Sequence, residues 1–197
     1  MHRRPLGVPA RRPALVVAAL AAALTLAGCA GSGVDSPVPA APEASTAAAP
    51  ADADVAFVRG MTPHHDQALQ MTALAPDRAS SPRVTALASE ISAAQQPEIT
   101  TMRDWLSARG LPATDPAHAG HAMTGMLDAT ALQRLEASRG PAFDRLFLEQ
   151  MVAHHAGALE MARTEVATGR DPQMVALARD IVASQQAEID RMRAMLG

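Results

Sequence analysis

The chain has 197 residues, a formal charge of −3, no lysine, and only three Phe and one Trp as aromatic residues, with no Tyr. An acidic chain without clustered Lys and Arg is a poor nucleic-acid binder, and so few rings leave no stacking platform for bases or sugars. Eleven methionines against one cysteine exclude an intrachain disulfide and place the chain's sulfur in thioethers.

Residues 1–28 read as an export signal. The stretch MHRRPLGVPARRP carries four Arg and no acid, and an apolar run follows at residues 14–28. That run is shorter than the ~20 apolar residues a membrane span needs. It ends in LAGC, residues 26–29, which resembles the lipobox of bacterial lipoproteins. The resemblance implies that Cys29 is lipidated and opens the mature chain, with two acyl chains needed for a stable anchor. Cleavage would remove four Arg and no acid, moving the charge from −3 to −7. Residues 29–51 hold the anchor and a Pro/Ala/Ser-rich stretch without apolar periodicity, a disordered tether by composition.

Residues 52–197 are expected to fold as one helical domain, since Ala, Leu, Met, Arg, Gln and Glu dominate. A first helix is predicted over about 54–75, with the stripe Phe57, Met61, His64, Ala68, Met71 and Ala75. Pro63 removes one backbone bond and crowds the Arg59 carbonyl, so this helix is expected either to kink or to restart with Thr62 as its cap. A second helix opens at Ser81-Pro82 and stops at Gly110. The segment LPATDPAHAGHAMTGM reads as loop, and Asp128 caps a short helix closed by Gly140. Another long helix starts at Pro141 and ends with Gly169 as its cap, and a last one opens at Asp171-Pro172.

The chain contains an internal repeat. Residues 57–106 align with 147–196 without a gap, with 20 of 50 positions identical. FVRGMTPHHDQALQM returns as FLEQMVAHHAGALEM. Short links make each repeat an antiparallel helical hairpin, and residues 107–146 join the two. Two hairpins with one long crossover, here containing a short helix, is the plan of a ferritin-like four-helix bundle.

Candidate ligands follow from the spacing. His64 and His65 diverge by about 100° around a helix, so they do not grip one ion together. Met61 shares a face with either, and Met151 does the same for His154 and His155. If the two helices face each other, the pairs converge on a site of imidazole and thioether. That is a soft donor set which suits Cu(I) and offers little to Mg or Ca. Glu98 and Glu188 would move preference toward Cu(II) or Zn as ligands, whereas either they or Gln95 and Gln185 would orient the imidazoles by accepting N–H. In the loop, His118, His121, Met123 and Met126 place four further donors within nine residues. Against these readings stands a plainer one: His64 and His154 lie on the core stripe, and methionine commonly fills core gaps.

Catalytic patterns are missing from the sequence. No Glu is followed three residues later by His, as di-iron bundles require, and there is no His-Glu-x-x-His, phosphate loop or nucleophile elbow. The two His-His helices, the doubled hairpin and the His/Met-rich middle resemble the family known as domain of unknown function 305, over nearly all of 54–196. The resemblance implies a ferritin-like bundle, export or membrane attachment, and metal handling, chiefly of copper. The resulting expectation is a lipid-anchored extracytoplasmic protein that stores, buffers or delivers copper, zinc being second, to a partner protein the sequence does not name. The alternative is a metal-free envelope scaffold with packed or pH-sensitive histidines.

Overall fold

The computed structural model describes residues 52–114 and 123–197. The signal, Cys29, the tether, His118 and His121 lie outside the described residues. Among the described residues there are six helices: α1 (Asp52–Ala73), α2 (Ala75–Arg78), α3 (Pro82–Ala108), α4 (Ala129–Ala137), α5 (Gly140–Thr168) and α6 (Pro172–Leu196). The all-α class is as expected, and no strand occurs among the described residues. α1 packs on α3, α5 packs on α6, and α1 also lies against α5.

The four long helices share two apolar clusters, one toward each end. The first gathers Ala68 and Met71 of α1, Leu87 and Ile91 of α3, Phe147 and Met151 of α5, and Ile189 and Met192 of α6. The second gathers Phe57 and Met61, Met102 and Leu106, Ala158 and Ala162, and Ala178 and Ile181 from the same helices. The three- and four-residue steps keep these side chains on one stripe per helix, and each large one stabilises by about 1.5–3 kcal/mol when fully buried.

Helix starts differ in how they are held. Asp128 and Asp171 cap α4 and α6 with side-chain bonds to backbone N–H groups. Ser81, expected as a cap, has extended backbone but makes no such bond. Its N–H instead donates to Asp144 of α5, as do the N–H and hydroxyl of Ser80. Ninety residues before Asp144, buried Asp54 of α1 accepts the N–H groups of Arg170 and Asp171. Each repeat therefore clasps the hairpin link of the other. Asp144→Ala should cost about 1–2 kcal/mol in urea unfolding, since a charged hydrogen bond contributes about 1.5–3 kcal/mol and solvent at this partly exposed site reduces it.

α1 runs unbroken through Pro63, so the expected restart does not occur. The Thr62 hydroxyl bonds back to the Val58 carbonyl at 2.7 Å instead of capping. Packing of α1 on α3 and α5 keeps the helix continuous through a residue that would end it alone.

Glu165 stands where the first repeat has Ala75, and only 1% of it is exposed. Burial, then its hydrogen bond to Asp54, raises its pKa to about 8. The folded state thus prefers the neutral acid. That contribution is complete below pH 4.5 and is lost as pH rises through about 8. The urea midpoint of Glu165→Gln should therefore rise relative to that of the parent as pH goes from 5 to 9.

Candidate metal centre

Between the two apolar clusters, each long helix turns a polar side chain inward at mid-height. α1 supplies His64 and His65, α3 supplies Gln95 and Glu98, α5 supplies His154 and His155, and α6 supplies Gln185 and Glu188. All four histidines are at most 1% exposed. Adjacent positions point about 100° apart, and the bundle uses both directions. The rings of His64 and His154 meet between α1 and α5 with centroids 3.8 Å apart. His65 turns to α3, where its Nε2 donates to Glu98 Oε2 at 2.8 Å. His155 turns to α6, where its Nε2 donates to Glu188 Oε2 at 2.7 Å. The two dyads are copies of each other in the repeat.

The layer leaves many polar atoms unpaired. Five buried ring nitrogens lack a hydrogen-bond partner: Nδ1 of His64, His65 and His155, and both nitrogens of His154. The Gln95 amide is unpaired at both ends, and Gln185 Oε1 is unpaired. The glutamates, not the glutamines, therefore orient imidazoles. An unpaired buried polar atom typically costs about 1–3 kcal/mol. Burial, followed by the charge of His65, lowers the His64 pKa to about 4, against a smaller opposing effect of the Thr124 carbonyl. Burial, then His64 and the other two histidines, lowers that of His154 to about 2. Both rings are therefore neutral at pH 7, with lone pairs free to bind a cation.

Met61 and Met151 are wholly buried one turn from His64 and His154, but they pack into different clusters. The thioethers bracket the histidine layer from opposite ends. Among the described residues no three His, Cys, Asp or Glu side chains are grouped so as to hold one ion.

The second half of the expected His/Met loop is not loose. The Thr124 carbonyl accepts from His64 Nε2 at 3.3 Å. Gln67 grips Leu127 at both ends of its amide, donating to the carbonyl at 2.9 Å and accepting from the N–H at 2.7 Å. Gly125 has φ +83° and lies on the carbonyls of Ala153 and His154, while Gly157 lies under Thr124. Met123 and Met126 are half-buried in this strap. Thr124, Gln67 and Gly157 carried no motif. The one signal was their disagreement across the repeat, since Gln67 and Gly157 occupy equivalent positions.

An all-helical protein with a duplicated histidine–glutamate layer at the middle of its long helices is the class these features define. The family model for Domain of unknown function (DUF305) matches residues 54–196, and the chain belongs to that family. A DUF305 protein of known structure from Streptomyces coelicolor is 31% identical, with TM-score 0.69, over 73% of this chain and 91% of that one. The protein CopM, solved in a Cu(I)-bound form, is 33% identical with TM-score 0.63, over 72% of this chain and 94% of that one. Its Cu(II)-bound form is 36% identical with TM-score 0.62, over 73% and 95%. Protein L153 of Acanthamoeba polyphaga mimivirus is 40% identical over 53 residues, 27% of this chain and 35% of the length of that relative.

Proposed function

We propose that the mid-bundle layer binds a soft transition-metal ion, copper before zinc, and that the protein stores, buffers or delivers it outside the cytoplasm. The observation that carries this reading is the set of five unpaired, buried ring nitrogens, four of them in copies related by the repeat. A bundle built only for stability would fill that layer with apolar side chains. His64 and His154 would supply nitrogen, and Met61 and Met151 soft sulfur. His65 and His155, fixed through Nε2 by Glu98 and Glu188, each keep a buried, unpaired Nδ1. Use of the carboxylates as imidazole partners leaves the ligand set soft and favours copper over zinc. The Cu(I)- and Cu(II)-bound forms of CopM, a third identical to this chain, support the choice. A lipid anchor at Cys29 and the export signal would place the bundle at the outer face of a membrane, with the metal as cargo for a partner protein.

The second reading, a metal-free scaffold, draws on the Glu98 and Glu188 bonds, which satisfy two rings without any ion. Anaerobic Cu(I) titration of the intact protein against a competing chelator decides between them. Stoichiometric binding that is lost in a His64→Ala/His154→Ala variant of unchanged circular dichroism supports the metal reading. Binding no tighter than about 1 μM, roughly 8 kcal/mol, would leave the scaffold.

A further inference from the structure

Gly60 sits inside α1, one turn before His64. A helix-interior glycine costs about 0.5–1 kcal/mol relative to Ala, and its φ is not in the left-handed region that would require it. What the missing side chain provides is room for sulfur. A Cβ placed at Gly60 would lie 3.2 Å from Met161 Sδ and 3.9 Å from Met123 Sδ. Two thioethers, one from α5 and one from the strap, thus lie against the same stretch of bare α1 backbone. Their separation is at most the sum of those distances, and methionine's three side-chain torsions allow them to close on a shared ion.

These two methionines differ from those of the core. Met71, the equivalent of Met161 in the first repeat, is wholly buried in an apolar cluster, as are Met61, Met102, Met151 and Met192. Met161, at the margin of the second apolar cluster, and Met123 are only half-buried and so reachable from solvent. Met123 directly precedes Thr124, whose carbonyl accepts the His64 N–H. The sulfur pair therefore adjoins the edge of the histidine layer and faces outward. Thioether is a neutral donor that does not titrate, and it selects soft monovalent ions over Zn, Mg or Ca.

We propose that Met123 and Met161, over Gly60, form a thioether site for a soft monovalent cation, Cu(I) or Ag(I), which receives the ion from outside and passes it to the histidine layer. The onward step rests on the reading of that layer given above, but binding at the sulfurs does not.

Ag(I), which needs no reductant, is the probe. The intact protein, labelled with carbon-13 at its methionine methyl groups, is titrated and followed by NMR. The Met123 and Met161 methyl signals are expected to shift at the first equivalents, and to shift equally in His64→Ala/His154→Ala. Met123→Leu/Met161→Leu conserves volume, which usually costs under ~1.5 kcal/mol. This variant should bind one equivalent fewer and load the histidine layer at least tenfold more slowly, read from the imidazole signals. Shifts at the methyls with silent imidazoles would uphold the sulfur site while removing its onward step and the histidine reading. Shifted imidazoles with unmoved Met123 and Met161 signals would overturn the proposal and leave the histidine site standing. Unmoved signals of both kinds would overturn the two together.

Discussion

His64→Leu/His154→Leu should make the protein more stable, not less, by on the order of 3 kcal/mol at pH 7 in urea unfolding. The two rings bring three unpaired nitrogens into a layer flanked by apolar clusters. Each such atom typically carries a penalty of about 1–3 kcal/mol, and leucine has no polar atom to desolvate. Its similar volume avoids a cavity. The same change should remove acid lability. His64 and His154 are held neutral in the fold, with pKa values lowered from 6.5 to about 4 and about 2. Below pH 6.5 the unfolded chain takes up protons that the folded chain refuses. Stability is therefore intact above pH 6.5 and lost as pH falls through the window toward 4 and beyond. For His64 alone the loss is on the order of 3 kcal/mol. The parent should show a falling urea midpoint between pH 7 and pH 5, and the double leucine variant a much flatter one. A variant less stable than the parent at pH 7 would mean that the rings are satisfied as they stand. A gain in stability coupled to loss of metal binding would be the usual exchange between an optimised core and a working site.

The symmetric half of this architecture was open to reading from the chain alone. Repetition at a spacing of ninety residues marked out the hairpins, and the three- and four-residue steps of the first helix placed Phe57, Met61, Ala68 and Met71 in the core. It also showed that whatever His65 does with Glu98, His155 does with Glu188. The apolar stripe put His64 and His154 toward the core, but periodicity gave no sign that His65 and His155 are equally buried, each turned to a glutamate of the neighbouring helix. The close approach of the His64 and His154 rings follows from the packing of α1 on α5. The clasps by Asp54 and Asp144 were hidden because each links residues from opposite repeats, 116 and 64 positions apart. Ser81 has the local pattern of a cap, yet its hydroxyl accepts no N–H of α3, and the contact it does make, from its own N–H to Asp144, has no local signature.

The strap was the least visible part, because it breaks the symmetry. A crossover passes over one face of a duplicated bundle only, so the two copies of each position under it must diverge. Gln67 became the grip and Gly157 the clearance. Differences between repeats, and not their identities, mark where the crossover lies.

Gly157→Ala puts that contact to its sharpest test. A Cβ at position 157 would fall 1.9 Å from the Thr124 carbonyl oxygen and 2.6 Å from its carbon. Both are backbone atoms, so no side-chain rotation relieves the overlap. α5 is held by packing along its whole length against α6, and the strap is held at its far end by Gln67. The strap is the weaker element, so it should lift. Overpacking of this kind costs about 1–3 kcal/mol, and more where backbone must shift. In this case the loss should be offset in part by the ~1 kcal/mol that Ala gains over Gly in a helix. A net loss of about 2 kcal/mol is expected in urea unfolding. The local effect should be larger. With Thr124 displaced, His64 Nε2 loses its acceptor and the layer opens to solvent. Acylation of His64 and His154 by diethyl pyrocarbonate should then accelerate by at least tenfold over the parent, at a pH where both are neutral. An unchanged rate would mean that the strap does not cover the histidines and that access to the layer runs elsewhere.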